Sequence, residues 1–224
     1  MSRPMILPFL FGVIGVAILL GLGTWQVQRL AWKNGILNEI ITRIKDTPIA
    51  IPSEPDPERD KYLPVRATGT IAQDELHILV SLKQVGAGYR IVSAFETDGR
   101  RILLDRGFVG VEQKDAPRQA LDVEVKGNLH WPDEVDGYTP APDLAENIWF
   151  ARDVDSMAQA LRTEPIFLVV RETSESDPSV TPLPVDISGI PNDHLGYAIT
   201  WFSLAFVWLG MTGAILWRIR QRTK

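Results

Sequence analysis

Two long uncharged runs lie near the two ends of the chain, and they predict helices that cross a membrane. No Asp, Glu, Lys or Arg occurs from Pro4 to Trp25 or from Leu195 to Trp217. Each run is about 20 residues or slightly longer, which is enough to span roughly 30 Å of hydrocarbon. The first run exceeds the apolar stretch of a secretory signal, and no small-residue cleavage site follows it before Arg29. We therefore expect two retained membrane helices, at 4–28 and 194–217.

The apolar pattern continues past the first run with a different period. Isoleucine and leucine recur at helical spacing from Ile36 to Ile44, and the segment Thr47 to Pro64 is then rich in proline. Such spacing is typical of an amphipathic helix, whereas closely spaced prolines end one. The sequence thus predicts an amphipathic helix and a proline-rich connector over 29–63.

The middle of the chain, 64–172, has the pattern of a separate α+β domain. Short β-branched and apolar segments alternate with turn signals such as Asp98-Gly99, which favours a mainly antiparallel sheet or a small barrel. We expect one helix at Val154–Arg162. The predicted strands are 65–71, 75–82, 88–95, 101–109, 121–129 and 165–171. A return linker rich in Ser, Asp and Pro follows at 173–193.

Charge sets the predicted orientation of the chain. The tail 218–224 carries Arg218, Arg220, Arg222 and Lys224, and Arg3 lies at the other end. Because basic residues beside short membrane spans stay in the cytoplasm, both termini are predicted to be cytoplasmic and the central domain to be translocated. No long Arg-rich transit sequence precedes the first span, so we expect a bacterial inner (cell) membrane and a periplasmic domain.

Composition narrows the possible functions. Between residues 34 and 190 there are 16 Lys and Arg against 27 Asp and Glu, a net charge of −11. That balance disfavours nucleic acid as a partner. The chain has no cysteine, so thiolate metal sites and disulfides are excluded. No zinc-protease, nucleophile-elbow, P-loop or dinucleotide motif occurs, and we do not expect an enzyme.

Of the three histidines, only His194 lies where a ligand-binding role is worth considering, at the start of the second predicted span. His77 and His130 have no second histidine at ligand spacing and are interpreted as structural. The second span carries a stripe of aromatic and small residues that begins at this histidine, and the first span ends in an aromatic and polar face. The stripe is His194, Tyr197, Ala198, Trp201, Ala205 and Trp208; the face on the first span is Trp25, Gln28, Arg29 and Trp32.

Two interpretations of these residues remain open on physical grounds. The tryptophans fit an aromatic belt at the headgroup level, and His194 fits a helix start capped by Asn192 or Asp193. Alternatively, Ala198 and Ala205 leave a slot for a flat macrocycle, with imidazole on haem iron and Arg29 on a propionate. In either case we expect the spans to pack through small residues. These are Gly12, Gly15 and Gly23 on the first span, and Ala198, Ala205, Gly210 and Ala214 on the second.

Several longer motifs resemble one known family, the Surfeit locus protein one family of cytochrome c oxidase assembly factors. The match runs nearly end to end and is most specific at the two membrane boundaries. The matching segments are LGTWQVQRLAWK (22–33), GAGYRIVSAF (86–95), RILLDRGFV (101–109), NIWFARD (147–153) and PNDHLGYAITWFSLA (191–205). Asp105 and Asp193 stand where asparagine is common in the family.

The resemblance implies an assembly factor for an aa3-type oxidase that binds haem a at the periplasmic membrane boundary. The family histidine falls on His194, and its Trp-Gln and Arg positions fall on Trp25, Gln26 and Arg29. With these we expect Tyr197 and Trp201 to line the site, His194 to be an axial ligand of haem iron, and haem a to be bound as cargo. The implied partners are the lipid bilayer, oxidase subunit I and, further, haem a synthase. The alternative function is a haem-independent scaffold that stabilises a subunit I assembly intermediate.

Overall fold

A computed structural model describes residues 3–83, 85–176 and 179–222 of the chain. Its helices are α1 (Arg3–Ile44), α2 (Val154–Leu161) and α3 (His194–Arg222). Its strands are β1 (Ile49–Ala50), β2 (Pro64–Leu82), β3 (Gly86–Thr97), β4 (Arg100–Gly110), β5 (Leu121–Leu129), β6 (Ile148–Trp149) and β7 (Phe167–Thr173). The chain divides into a helical unit, Met1–Glu39 with Ile187–Lys224, and a sheet unit, Ile40–Asp186.

The two terminal helices are long, apolar and mostly exposed. α1 has 42 residues and α3 has 29, and both are long and apolar enough to cross a membrane. Only 6% of the most apolar window of either helix is buried inside the molecule, unlike the core helix of a soluble protein. α1 runs without a break to Ile44, so the predicted membrane helix and the predicted amphipathic helix are one element.

α1 and α3 pack on each other through small residues. A methyl carbon placed on Gly23 would lie 2.7 Å from the Phe202 ring, and one placed on Gly15 would collide with the Trp208 indole. Ala198 and Ala205 are only 2% and 3% exposed. These parts of the predicted contact are confirmed, because a side chain larger than glycine or alanine would hold the helices apart. Gly210 and Ala214 were wrongly included, since both are exposed.

The sheet unit is a small barrel of mixed strand direction. β2, β3, β4, β7 and β5 pair in that order, and β5 pairs with β2 again to close the ring. The ladders β2–β3, β3–β4, β5–β7 and β2–β5 are antiparallel, whereas β1–β2, β2–β6 and β4–β7 are short parallel pairs. The α+β prediction holds, and the sheet is mixed rather than purely antiparallel.

The first two predicted strands form one long bent strand. The first part of β2 pairs with β5 from Pro64 to Ile71, and its second part pairs with β3 from Glu75 to Leu82. The register with β3 shifts between Ile71 and Glu75. A bulge of this kind bends a strand and increases its twist, which allows so few strands to close.

Alternating residues of the barrel strands fill two hydrophobic cores. Ile102 and Leu104 point into the barrel, while Leu103 between them packs on the outer side with α2. α2 follows the N-cap Asp153, whose side chain accepts a hydrogen bond from the Ser156 N–H at 3.4 Å. Because strand side chains alternate between faces, β4 is buried on both sides.

A buried network of charges ties the barrel to the loop between β5 and β6. Asp105 is fully buried and forms an ion pair with Arg90, and Arg152 lies 3.9 Å away. Burial raises the pKa of Asp105, while the two arginines act in the opposite direction. Arg152 also donates to both carboxylate oxygens of Glu134 at 3.1 Å. The loop that carries Glu134 is therefore held to the barrel by paired charges.

Two histidines belong to the barrel and not to the helices. His77 is 5% exposed, and its Nε2 lies 2.9 Å from Glu75 Oε1. His130 stacks on Tyr62 with ring centroids 5.3 Å apart. Burial, followed by the nearby Arg152, lowers the pKa of His130 to about 3. His130 is thus neutral at physiological pH, as a structural histidine should be.

Candidate functional site at the end of the helix pair

His194 begins α3, and its imidazole meets a side chain from α1. The Nδ1 atom of His194 lies 2.8 Å from Oε1 of Gln26. Gln26 is 9% exposed, although it occurs within an apolar helix. At the start of α3 the backbone carbonyl of Asp193 accepts the Tyr197 N–H at 3.2 Å. The imidazole takes no part in this bond.

The hydrogen bond to Gln26 decides which ring nitrogen of His194 is available. A side-chain amide oxygen only accepts hydrogen bonds, so in the neutral imidazole Nδ1 carries the proton. Nε2 then keeps its lone pair, and within the described residues it has no hydrogen-bond partner. A protein ligand to a metal is normally prepared in this way, with one nitrogen held by a neighbour and the other free.

A second polar bond joins α1 to the segment just before α3. Nδ2 of Asn192 donates to Oδ1 of Asn34 at 2.8 Å. At about 100° per residue, Gly12, Gly15, Gly23, Gln26 and Asn34 fall within roughly 50° of one line along α1. The glycines and the two amides thus share the face that contacts α3, and the amides hold the end at which His194 lies.

The other predicted site residues form no hydrogen bond with this pair among the described residues. Trp25 is 55% exposed and Tyr197 is 57% exposed, while Trp201 is half-buried. The Arg29 guanidinium stacks on the Trp32 ring, 3.9 Å from its centroid. Within the described residues, no hydrogen bond or ring contact connects His194 to Trp25, Arg29, Tyr197 or Trp201.

Two details of the sequence interpretation need correction. The space beside Ala198 and Ala205 is filled by the packed helix pair, so these alanines leave no open slot. The aromatic face with Trp25 and Arg29 is the exposed side of α1, so His194 lies opposite Gln26 instead. Both corrections have one cause: small residues bring the facing sides of the helices together, and Trp25 and Arg29 lie on another side of α1.

Gln26 is the residue that the physical pattern of the sequence could have revealed. The resemblance placed it at a family position, but the aromatic stripe did not include it. Its spacing of three residues from Gly23 puts it on the glycine face, where a polar side chain must find a partner. His194 is the polar residue at the matching end of α3.

This arrangement offers one free imidazole nitrogen and not a complete metal site. Among the described residues, no group of three or more His, Cys, Asp or Glu side chains could hold a metal ion. A single imidazole therefore suits a metal that brings its other ligands with it, as iron in a porphyrin does. The donor atoms present fit an axial haem ligand.

A closed mixed barrel that lies in sequence between two apolar helices, with the two helices joined to each other by a histidine–glutamine pair, defines a class of small barrel proteins with paired terminal helices. Within that class, the chain belongs to the SURF1 family, whose family model matches residues 13–206. Proteins of this family are known as cytochrome oxidase assembly factors. The resemblance noted from the motifs is thereby confirmed.

Individual relatives are similar over most of the chain. Surfeit locus protein 1 of Rattus norvegicus is 28% identical over 82% of this chain and 67% of its own length. Surfeit locus protein 1 of Xenopus tropicalis is 28% identical over 91% and 73%. The SURF1-like protein of Drosophila melanogaster is 29% identical over 84% and 72%.

Proposed function

We propose that this chain is an assembly factor for aa3-type cytochrome c oxidase. In this role it binds haem a as cargo at the periplasmic boundary of the bacterial inner membrane. It then delivers the haem to nascent subunit I or stabilises it there. The chain acts as a carrier and not as a catalyst. The observation that carries the proposal is the bond between His194 Nδ1 and Gln26 Oε1 at 2.8 Å, which leaves Nε2 available.

The exposed apolar surfaces of α1 and α3 support a place in the bilayer. A soluble protein rarely leaves so large an apolar surface open to water, and lipid removes that cost. His194 and Gln26 then lie at the end of the helix pair where the chain passes into the barrel unit. Polar residues at this depth of the membrane cost free energy unless they are paired with each other or serve a function. In the proposal, His194 and Gln26 are paired and also hold the cargo.

Each side chain has a separate task in holding the cargo. His194 supplies the lone pair to iron, and Gln26 fixes the tautomer and the orientation of the ring. The planar group of Arg29 stacks on Trp32, and its N–H groups have no hydrogen-bond partner among the described residues, so it can meet an anionic propionate. Trp25, Tyr197 and Trp201 offer aromatic surface at the same membrane boundary.

A second candidate function is the haem-independent scaffold, and one observation favours it. The stripe on α3 is largely used in packing against α1, since Ala198 and Ala205 are buried and Trp208 fills the space at Gly15. A scaffold would need only this helix pair and the barrel surface. It does not explain why a histidine with a free nitrogen is joined to a buried glutamine.

The test is the absorption spectrum of protein purified in detergent from cells that also make haem a. Wild type should carry haem, and His194→Ala should lose its spectrum because the iron loses its ligand. Gln26→Leu should keep the ligand but bind haem about tenfold more weakly, as expected when the partner that orients a ligand is removed.

His130→Gln is the matched control, since it removes a histidine of the barrel and should leave the haem spectrum unchanged. Unaltered haem spectrum and stoichiometry in His194→Ala would show that the ligand assignment is wrong. A colourless wild type that still supports oxidase assembly would favour the scaffold.

A further inference from the structure

Two neighbouring cavities open on the barrel unit beside the start of α2. The first has a volume of about 360 Å³ and is lined in part by Trp131, Pro57 and Pro165. The second has a volume of about 230 Å³ and is lined in part by Phe150. Val135 and Asp153 line both, so the two cavities are adjacent, and together we call them the α2 groove.

Several apolar side chains are exposed in the α2 groove and on the loop beside it. Val135 is 53% exposed, Phe150 is 39% exposed, and Tyr138 at the tip of the loop is 94% exposed. Proline and tryptophan provide flat apolar walls that lose little conformational entropy when a partner binds. Exposed apolar residues grouped in this way mark a surface for binding another molecule.

The charged side chains that line the α2 groove, among the described residues, are all acidic. Asp133, Glu134, Asp153 and Asp155 line it, and no Lys or Arg is among the described residues that line either cavity. Glu134 is neutralised by Arg152, and Asp153 caps α2. Asp133 and Asp155 have no ion pair or hydrogen bond with any described residue, so their charges face the groove uncompensated.

The loop that forms the α2 groove is held in place without a partner. Besides the Glu134–Arg152 pair, the Trp131 Nε1–H donates to the carbonyl of Pro165 at 3.0 Å. The Asp136 carboxylate closes a turn by accepting the Tyr138 N–H at 2.8 Å. A surface that is already ordered loses little entropy on binding.

We propose that the α2 groove is the docking surface for an extended segment of a partner protein that carries lysine or arginine beside an apolar side chain. The basic groups pair with Asp133 and Asp155, and the apolar side chain packs on Val135 and Trp131. Charge complementarity selects this occupant. A second copy of the chain brings an equally acidic barrel, and an anionic lipid surface is repelled by the same carboxylates.

The test uses the full chain in neutral detergent and short fluorescein-labelled peptides as probes. The peptides share Leu, Pro and Ser and differ only in carrying arginine, glutamine or glutamate. Fluorescence anisotropy should show binding of the arginine peptide, weakened by salt, and little binding of the other two. Asp133→Asn/Asp155→Asn should weaken that binding by about three- to tenfold, and Val135→Ser should weaken it without changing its salt dependence.

The matched control is Glu112→Gln/Glu124→Gln, which removes the same charge from exposed positions outside the α2 groove and should leave peptide binding unchanged. Equal weakening by both double variants would overturn the proposal, because attraction would then depend on net charge alone. Equal binding of the glutamine or glutamate peptide would overturn it as well. The proposal would also be overturned if the wild type sedimented as a dimer and Asp133→Asn/Asp155→Asn dissociated that dimer. The haem spectrum should be unchanged in all these variants, so failure here is distinguishable from failure of the haem proposal.

Discussion

At the scale of single residues, His130 makes the stability of the barrel depend on pH. Its pKa is lowered to about 3 by burial and by Arg152, whereas an unperturbed histidine has a value of 6.5. The unfolded chain therefore takes up a proton at this residue as the pH falls from about 6.5, and the native barrel does not. Protonation of the unfolded chain favours unfolding, so stability should decrease as the pH is lowered through this window.

We expect His130→Phe to flatten this part of the stability profile. The phenyl ring keeps a partner for Tyr62 but cannot take up a proton in the unfolded chain. Between about pH 6.5 and pH 5, the free energy of unfolding of the wild type should fall by about 1.6 kcal/mol more than that of the variant. Unfolding of the detergent-purified chain, followed by tryptophan fluorescence, measures the difference. Parallel profiles would show that His130 is not the titrating group.

At the scale of elements, the contact between α1 and α3 depends on the absence of side chains. The Thr212 and Trp208 side chains occupy the space that side chains on Gly12 and Gly15 would need, whereas nothing lies within 4 Å of a Cβ placed on Gly21. A substitution should therefore matter at Gly15 and not at Gly21, although the two glycines lie within the same apolar helix. Overpacking of a tight contact typically costs about 1–3 kcal/mol.

A disulfide can report this contact, because the chain has no cysteine of its own. A Cβ atom at Gly12 would lie 3.0 Å from Cβ of Thr212, which is shorter than the separation of about 3.8 Å in a disulfide, so a small separation of the helices brings the pair within range. Gly12→Cys/Thr212→Cys should crosslink on mild oxidation in membranes. Adding Gly15→Leu should reduce the yield about threefold or more, and adding Gly21→Leu should not. Equal yields in both backgrounds would contradict the packing.

At the scale of the whole molecule, the two apolar helices and the basic tail predict the membrane topology. Arg218, Arg220 and Arg222 follow the apolar part of α3, and basic residues beside a span remain in the cytoplasm. With an even number of spans, we predict that both termini lie on that side and that the barrel unit lies on the other.

Single cysteines test this topology in bacterial spheroplasts. Tyr138→Cys lies on the barrel at a position that is 94% exposed, and Gln221→Cys lies at the end of α3. A membrane-impermeant maleimide should label Tyr138→Cys in intact spheroplasts and Gln221→Cys only after permeabilisation. The opposite pattern would reverse the topology and would place His194 at the cytoplasmic boundary.

Local patterns were sufficient for most of the secondary structure. The uncharged runs, the β-branched segments and the Asp98-Gly99 turn correspond to helices, strands and a hairpin in the structure, with both turn residues at positive φ. Propensity and period act over a few residues, and these elements follow from them. The two-residue strands β1 and β6 were missed, because they are defined by pairing with β2 and have no period of their own.

The sequence by itself determined the family and the presence of two apolar helices before and after an α+β domain, and it led to the prediction that His194 is the ligand. Only the tertiary structure decided that β5 closes the barrel on β2, and that His194 meets Gln26 while Trp25 and Arg29 face outward. A helix period shows which residues share a face but not which face meets a neighbour. That choice depends on how closely two backbones can approach, and here Gly12, Gly15 and Gly23 decide it.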